Sequence, residues 1–240
     1  MPLNRHVILL ATLPRETNSK IFLNSLSIII PINSLLKYHS TLISPNPPFA
    51  KMGTLDIPPP HVPSHTIPIS SIFLQIGGSL WTICYILYVR ESFRSKSYGM
   101  PLFALALNFG WEIVYGFIAE YPIERVVFFA WLLVDCGIVY GMLRFAKFEW
   151  EHAPVVKKNI GWFFALMAVG AVVGHGAFAS WWIENEIGKQ EGKFYKGVVG
   201  PDISELGYWS AVLCQLNLSA ASLCQLVIRQ HSGGVSWGIW

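Results

Sequence analysis

The sequence predicts an all-α protein, a polytopic transmembrane helix bundle with five spans. Of 240 residues, 53% are hydrophobic and only 13% are charged, about half the charged share of a soluble domain. Mean hydropathy is +0.45. The apolar residues also fall in blocks of membrane-crossing length, separated by short charged loops. Strands are disfavoured, because an open sheet edge leaves its backbone groups unsatisfied in lipid.

Each block is read in turn. The first span is "SIFLQIGGSLWTICYILYV", Ser71 to Val89. Its "IGGSL" has no following Lys-Ser/Thr, so it reads as helix packing and not as a phosphate loop. The second span runs from Pro101 to Ala119 and the third from Val126 to Ala146. The fourth runs from Ile160 to Ile183 and the fifth from Leu206 to Ile228. As helices, all five are long enough to cross an apolar layer about 30 Å thick.

Loop charges orient the bundle. Arg90, Arg94 and Lys96 follow the first span, Arg144, Lys147, Lys157 and Lys158 the third, and Arg229 the fifth. The opposite loops carry only Arg125, Lys189, Lys193 and Lys196. The positive-inside rule puts the richer set in the cytosol and the start of the first span in the lumen.

Residues 1–51 are rich in Ser, Asn and Pro, and their one apolar patch is broken by Pro31. We expect a non-native or disordered extension there, with Met52 as the initiator and a hydrophilic lead-in over 52–70. The transmembrane helical domain is then 71–240. Ser236 to Trp240 read as the first turn of a further apolar segment, so the domain is expected to be cut short at the start of a sixth span.

Several classes are disfavoured. A net charge of +3 without a basic, aromatic-studded patch argues against nucleic acid. Cys84, Cys136, Cys214 and Cys224 lie inside apolar segments without a CxxC pair and read as small buried hydrophobes. No HExxH or Cys/His cluster points to a metal.

The informative residues are the polar ones inside the spans. Glu112 lies in the middle of "ALNFGWEIVYGFIA", where an acid costs about 2.5–3.5 kcal/mol to insert. Asn108, Glu112 and Tyr115 fall at i, i+4 and i+7 on one helix face, with Trp111 beside it. A dry site favours a neutral, hydrogen-bonded carboxyl group, which is a proton donor ready for general-acid catalysis. The alternative is a structural hydrogen bond between helices. Asp135, mid-membrane in the third span, is read as a partner that orients Glu112, as a second acid, or as packing glue. The fifth span carries a polar stripe of Gln215, Ser219, Ser222 and Gln225, expected to face the bundle interior. The sequon at Asn217 lies within that span and is discounted. His175 reads as satisfied structure, and Gly170 with Gly174 as a small-xxx-small contact.

Ten tryptophans are present. Trp181, Trp182 and Trp209, at span ends, are expected to form an interface belt. Trp81, Trp111 and Trp131 lie deeper, where aromatic faces stabilise cations by up to about 2 kcal/mol each. A proton donor with aromatic walls and no water suits chemistry that begins with protonation and runs through carbocations.

With those residues in view, the sequence resembles the fungal integral-membrane terpene cyclases of meroterpenoid and indole-diterpene pathways. The resemblance is carried by "GGSLWTICYILYVRESFRSKSYGMPLFALALNFGWEIVYGF", "ERVVFFAWLLVDCGIVYG" and "YWSAVLCQLNLSAASLCQLVIRQHSGGVSWGIW". Its most specific part is Tyr98 to Leu102 followed by Asn108, Trp111 and Glu112. The resemblance implies a cofactor-free cyclase whose Glu112 protonates the epoxide of a prenylated precursor made by an upstream prenyltransferase and epoxidase. It also implies a membrane setting in the endoplasmic reticulum. The family usually has seven spans, with a second essential acid near the last. Asp202 and Glu205 match that acid poorly, and this chain departs from the pattern there. Two other readings remain: a small proton-linked transporter using Glu112 and Asp135 as a relay, and a noncatalytic or inactive shortened relative.

Overall fold

The computed structural model describes residues 60–119, 122–187 and 204–239. The extension over 1–51, Met52, the loop lysines Lys189, Lys193 and Lys196, Asp202 and Trp240 lie outside the described residues. The described residues form five helices in the expected order: α1 (Thr66–Ser95), α2 (Leu102–Ile118), α3 (Pro122–Glu149), α4 (Pro154–Glu184) and α5 (Ser204–Arg229). Four are long and apolar enough to cross a membrane: α1, α3, α4 and α5.

Most helices overrun the spans read from hydropathy. α1 continues through "RESFRS" and α4 begins at "PVVKKN". Arg, Lys and Glu are good helix formers, so apolarity marks the lipid slab and not the ends of the helix. α2 is the exception. Its 17 residues stop short of the predicted 101–119, because Pro101 (ψ 142°) and Ala119 (ψ 129°) are extended. Pro101 sits just before the helix, where its missing N–H leaves no bond unmade.

The short helix is the hub. α2 packs against α3, α4 and α5, while α1 packs against α3. Asn108, Gly110, Trp111, Glu112, Val114 and Tyr115 are all buried, so the helix is covered on several faces. The outer helices instead present rows of apolar side chains to the lipid side, among them Phe73, Leu133, Trp162 and Leu216. Without water between them, helices in a bilayer associate through close packing and interhelical hydrogen bonds.

The closest helix approach is not where the glycine spacing puts it. At Gly170 and Gly174 an added Cβ would meet nothing within 4 Å. At Gly110 it would lie 2.7 Å from Ala171 Cβ and 2.8 Å from Val172 N. A small residue in α2 lets α4 come in, and the two glycines of α4 face elsewhere. "IGGSL" makes no tight contact either: Gly77 has nothing within 4 Å and Gly78 only the Trp131 ring at 3.8 Å.

At one end of the bundle the ends of α1, α3 and α5 are clasped together. Glu149 accepts from Ser97 Oγ and faces Arg229 Nε at 3.5 Å and His231 Nε2 at 3.4 Å. Arg229 donates to Tyr98 O (2.8 Å) and stacks its guanidinium 4.1 Å from the Tyr98 ring centroid. Trp150 Nε1 donates to Tyr98 Oη (2.9 Å) and Gln225 Nε2 to Gly99 O (2.6 Å). Gly99 and Gly234 lie backbone to backbone, and a Cβ on Gly234 would fall 2.5 Å from Gly99 N. The "YGMPL" and "RQHSGG" motifs are thus two halves of one joint. The joint gathers the positively charged ends of α1, α3 and α5, as the loop-charge reading requires. Residues 236–239 form a turn closed by Ile239 N to Ser236 O at 2.9 Å.

Candidate active site

α2 delivers Asn108 and Glu112 one turn apart on one face, and α3 delivers Asp135 opposite them. Glu112 and Asp135 are both 0% exposed. Asn108 joins them: its Nδ2 lies 3.1 Å from Glu112 Oε1 and 3.0 Å from Asp135 Oδ2, and it is also hydrogen-bonded to the Tyr85 hydroxyl of α1. Three helices therefore meet at one side-chain amide. Among the described residues neither carboxyl group has an Arg, Lys or His ion-pair partner.

The outward oxygens of the pair are left over. Glu112 Oε2 and Asp135 Oδ1 are buried without a hydrogen-bond partner, as are Trp81 Nε1 and Tyr115 Oη. Buried polar atoms in native folds are nearly always paired.

An indole wall stands beside the acids. Trp81, Trp111 and Trp131 come from three different helices. Their ring centroids lie 5.9 Å (81–111), 5.7 Å (81–131) and 6.3 Å (111–131) apart, with interplanar angles of 12°, 16° and 23°. Phe128 closes the group at 4.9 Å from Trp111. Two of the rings are pinned through their N–H: Trp111 Nε1 to Ser210 Oγ (2.9 Å) and Trp131 Nε1 to Thr82 Oγ1 (2.7 Å).

The fate of each predicted residue is then plain. Glu112, Asn108 and Asp135 come together. Trp111 belongs to the indole wall. Tyr115 turns away from the amide against Trp111 (5.7 Å) and the edge of His175 (5.9 Å). His175 is held by Leu107 O at 3.2 Å and lies 3.8 Å from Cys214 Sγ.

Three expectations are corrected. In the α5 stripe Ser222 is buried and Gln225 bonds Gly99, but Ser219 is exposed. The inward face of α5 is better described by Leu206, Ser210 and Cys214, at i, i+4 and i+8. Among the end tryptophans, Trp181 and Trp209 are exposed but Trp182 is buried in the same cluster as Trp111 and Tyr115. The four cysteines are unbridged, yet only Cys214 is fully buried, and Cys136 and Cys224 are exposed on outward faces.

Tyr85, Thr82 and Ser210 were missed from sequence. Tyr85 carried a usable signal, since it follows Trp81 at i+4 on one face of α1 and meets it edge-on at 6.0 Å. Ser210 carried none, being one serine among several in α5. An apolar groove of about 440 Å³, lined by Phe178, Trp182, Trp209, Val212, Leu213 and Leu216, opens between α4 and α5 and not onto the acids. Among the described residues no three His, Cys, Asp or Glu side chains gather as a metal site.

Comparison with known proteins gives the family. The terpene cyclase ascF of Acremonium egyptiacum is 42% identical over 184 residues, 76% of this chain and 66% of its own length. The terpene cyclase nodB of Hypoxylon pulicicidum is 41% identical, over 72% of this chain and 64% of its own. The terpene cyclase penB of Penicillium crustosum is 38% identical over the same shares. This chain thus spans just under two thirds of the length of these curated relatives. No solved structure matches it. Residues 54–240 match one family throughout, across both the acid-bearing helices and the clasp, and the chain belongs to the Pyr4-like transmembrane terpene cyclases.

Proposed function

We propose that this protein is a membrane-embedded terpene cyclase in which Glu112 protonates the epoxide of a prenylated precursor. The observation that carries the reading is the buried carboxyl pair: Glu112 and Asp135 bridged by Asn108, each with an unpartnered oxygen, beside three indoles. Two full negative charges on a single amide would be severely under-solvated in a dry bundle, so the pair keeps a proton. Glu112 gives it to the oxirane oxygen. The C–O bond breaks, the neighbouring alkene attacks the carbon left behind, and rings close in sequence. The last cation loses a proton from carbon, which restores the acid, so the reaction is an isomerisation without a co-reactant. The indole faces lower the energy of the cations on the way, and the dry bundle keeps water from trapping them early.

The relatives named as terpene cyclases and the apolar setting support a terpenoid substrate. Our reading is a prenyl chain on an aromatic or indole head group, from a fungal meroterpenoid or indole-diterpene pathway in the endoplasmic reticulum, with prenyltransfer and epoxidation upstream. The family match from residue 54 supports dividing the chain into an extension over 1–51, a lead-in over 52–70 and a membrane domain over 71–240.

The test is expression in microsomes supplied with a synthetic farnesyl phenol bearing a terminal epoxide. The expected product has the mass of the substrate and fewer double bonds. Glu112→Gln, which keeps the shape and loses the acid, should lower its formation by a factor of about 100 or more. Equal product from Glu112→Gln rules out the assigned acid.

A further inference from the structure

Asn108 Nδ2 has two hydrogens to give, yet it faces three oxygens: Tyr85 Oη, Glu112 Oε1 and Asp135 Oδ2. Tyr85 is 2% exposed and packed in the same core as Leu105 and Ile138, with its ring edge-on to Trp81. Its hydroxyl is therefore fixed in place on a third helix and competes with the two carboxyl groups for the amide. If Tyr85 takes one hydrogen, a single one is left for two acids, and the pair becomes unequal. Without Tyr85 each carboxyl group could receive one, and the amide would no longer distinguish them. General-acid catalysis needs the unequal state, with one carboxyl group as donor and the other as its charged or hydrogen-bonded neighbour.

We propose that Tyr85 is a positioning residue of the acid pair: by holding one Asn108 hydrogen it makes Glu112 and Asp135 inequivalent and leaves one of them as the proton donor. This rests on the acid role proposed for Glu112, but it concerns how that acid is set up and is measurable without turnover. Tyr85 touches no substrate in this scheme; it hydrogen-bonds Asn108, and its hydroxyl also lies within reach of Glu112.

The experiment is infrared spectroscopy of the full chain in lipid nanodiscs, on the C=O stretch of protonated carboxyl groups. The band is identified by its loss in Glu112→Gln or Asp135→Asn. Tyr85→Phe is close to isosteric and keeps the contact with Trp81. It frees a hydrogen of Asn108 for the protonated carboxyl group, so the band should move to lower frequency. Tyr88→Phe removes another buried hydroxyl from α1 and should leave the band unmoved. In the farnesyl phenol epoxide assay Tyr85→Phe should lower kcat about 3- to 10-fold, the loss of one hydrogen bond between neutral groups, with KM unchanged. A band at the same frequency in Tyr85→Phe, or no protonated carboxyl band in the parent chain, overturns the proposal. A shifted band in a chain that turns over no epoxide keeps the Tyr85 assignment and removes the cyclase reading instead.

Discussion

Trp111 on α2 donates its indole N–H to Ser210 on α5 across 2.9 Å. The bond does two things. It holds a ring of the indole wall at a fixed angle, and it ties the hub helix to α5 through polar atoms. Ser210 Oγ lies 3.0 Å from Gly207 O, so the hydroxyl donates to its own helix while it accepts from Trp111.

Ser210→Ala should therefore leave the Trp111 N–H buried and unpaired. The expected loss is about 0.6–2 kcal/mol, the range for interhelical hydrogen bonds in bilayers. Thermal unfolding of the detergent-solubilised protein, followed by tryptophan fluorescence, measures it. Ser219→Ala, on the exposed side of α5, should leave the transition where it is.

Glycine substitutions separate the two α2–α4 packing schemes. Gly110→Ala puts a methyl group 2.7 Å from Ala171 Cβ, and the helices must separate. Overpacking of this kind costs about 1–3 kcal/mol. Gly174→Ala meets nothing within 4 Å and should be neutral or slightly stabilising, because alanine is the better helix former by about 1 kcal/mol. Equal destabilisation by both variants would contradict this geometry.

The clasp predicts a strong effect from a residue remote from the acids. Glu149 and Arg229 are only 12% and 11% exposed in their side chains. Glu149→Ala leaves Arg229 without its carboxylate, and breaking a buried pair from one side costs about 3–5 kcal/mol. Arg229→Lys keeps the charge but gives up the planar stack on Tyr98, so it should lie between wild type and Glu149→Ala. Limited proteolysis at the α1–α2 loop, with the melting temperature, reads both.

Asn108→Leu removes the amide that bridges the carboxyl groups while keeping an apolar side chain of similar length. Product formation from the farnesyl phenol epoxide should fall about 100-fold or more, as for loss of the general acid itself. Asp135→Asn, which still offers an oxygen and a nitrogen to Asn108, should be milder. A fully active Asn108→Leu protein would show that the bridge has no part in the chemistry.

The sequence by itself determined the five helices, their order and the place of a carboxyl group inside one of them. Those are local matters: a block of about 20 apolar residues partitions into lipid as a helix, and a lone carboxyl group within it stands out one residue at a time. Asn108 and Glu112 were legible together because i and i+4 share a face on any helix. The family was legible too, because its motifs are contiguous. Tertiary structure alone decided which side chains meet across helices. It chose Gly110 over Gly170 and Gly174 as the close approach, turned Ser219 outward and Trp182 inward, and brought Tyr85 and Asp135 to one amide. Most blocks of the sequence are apolar over much of their surface, so hydrophobic periodicity does not say which face looks at a neighbour and which at lipid. In a bilayer that choice falls to steric fit and to the few polar groups that must find each other, and such pairings join residues far apart along the chain.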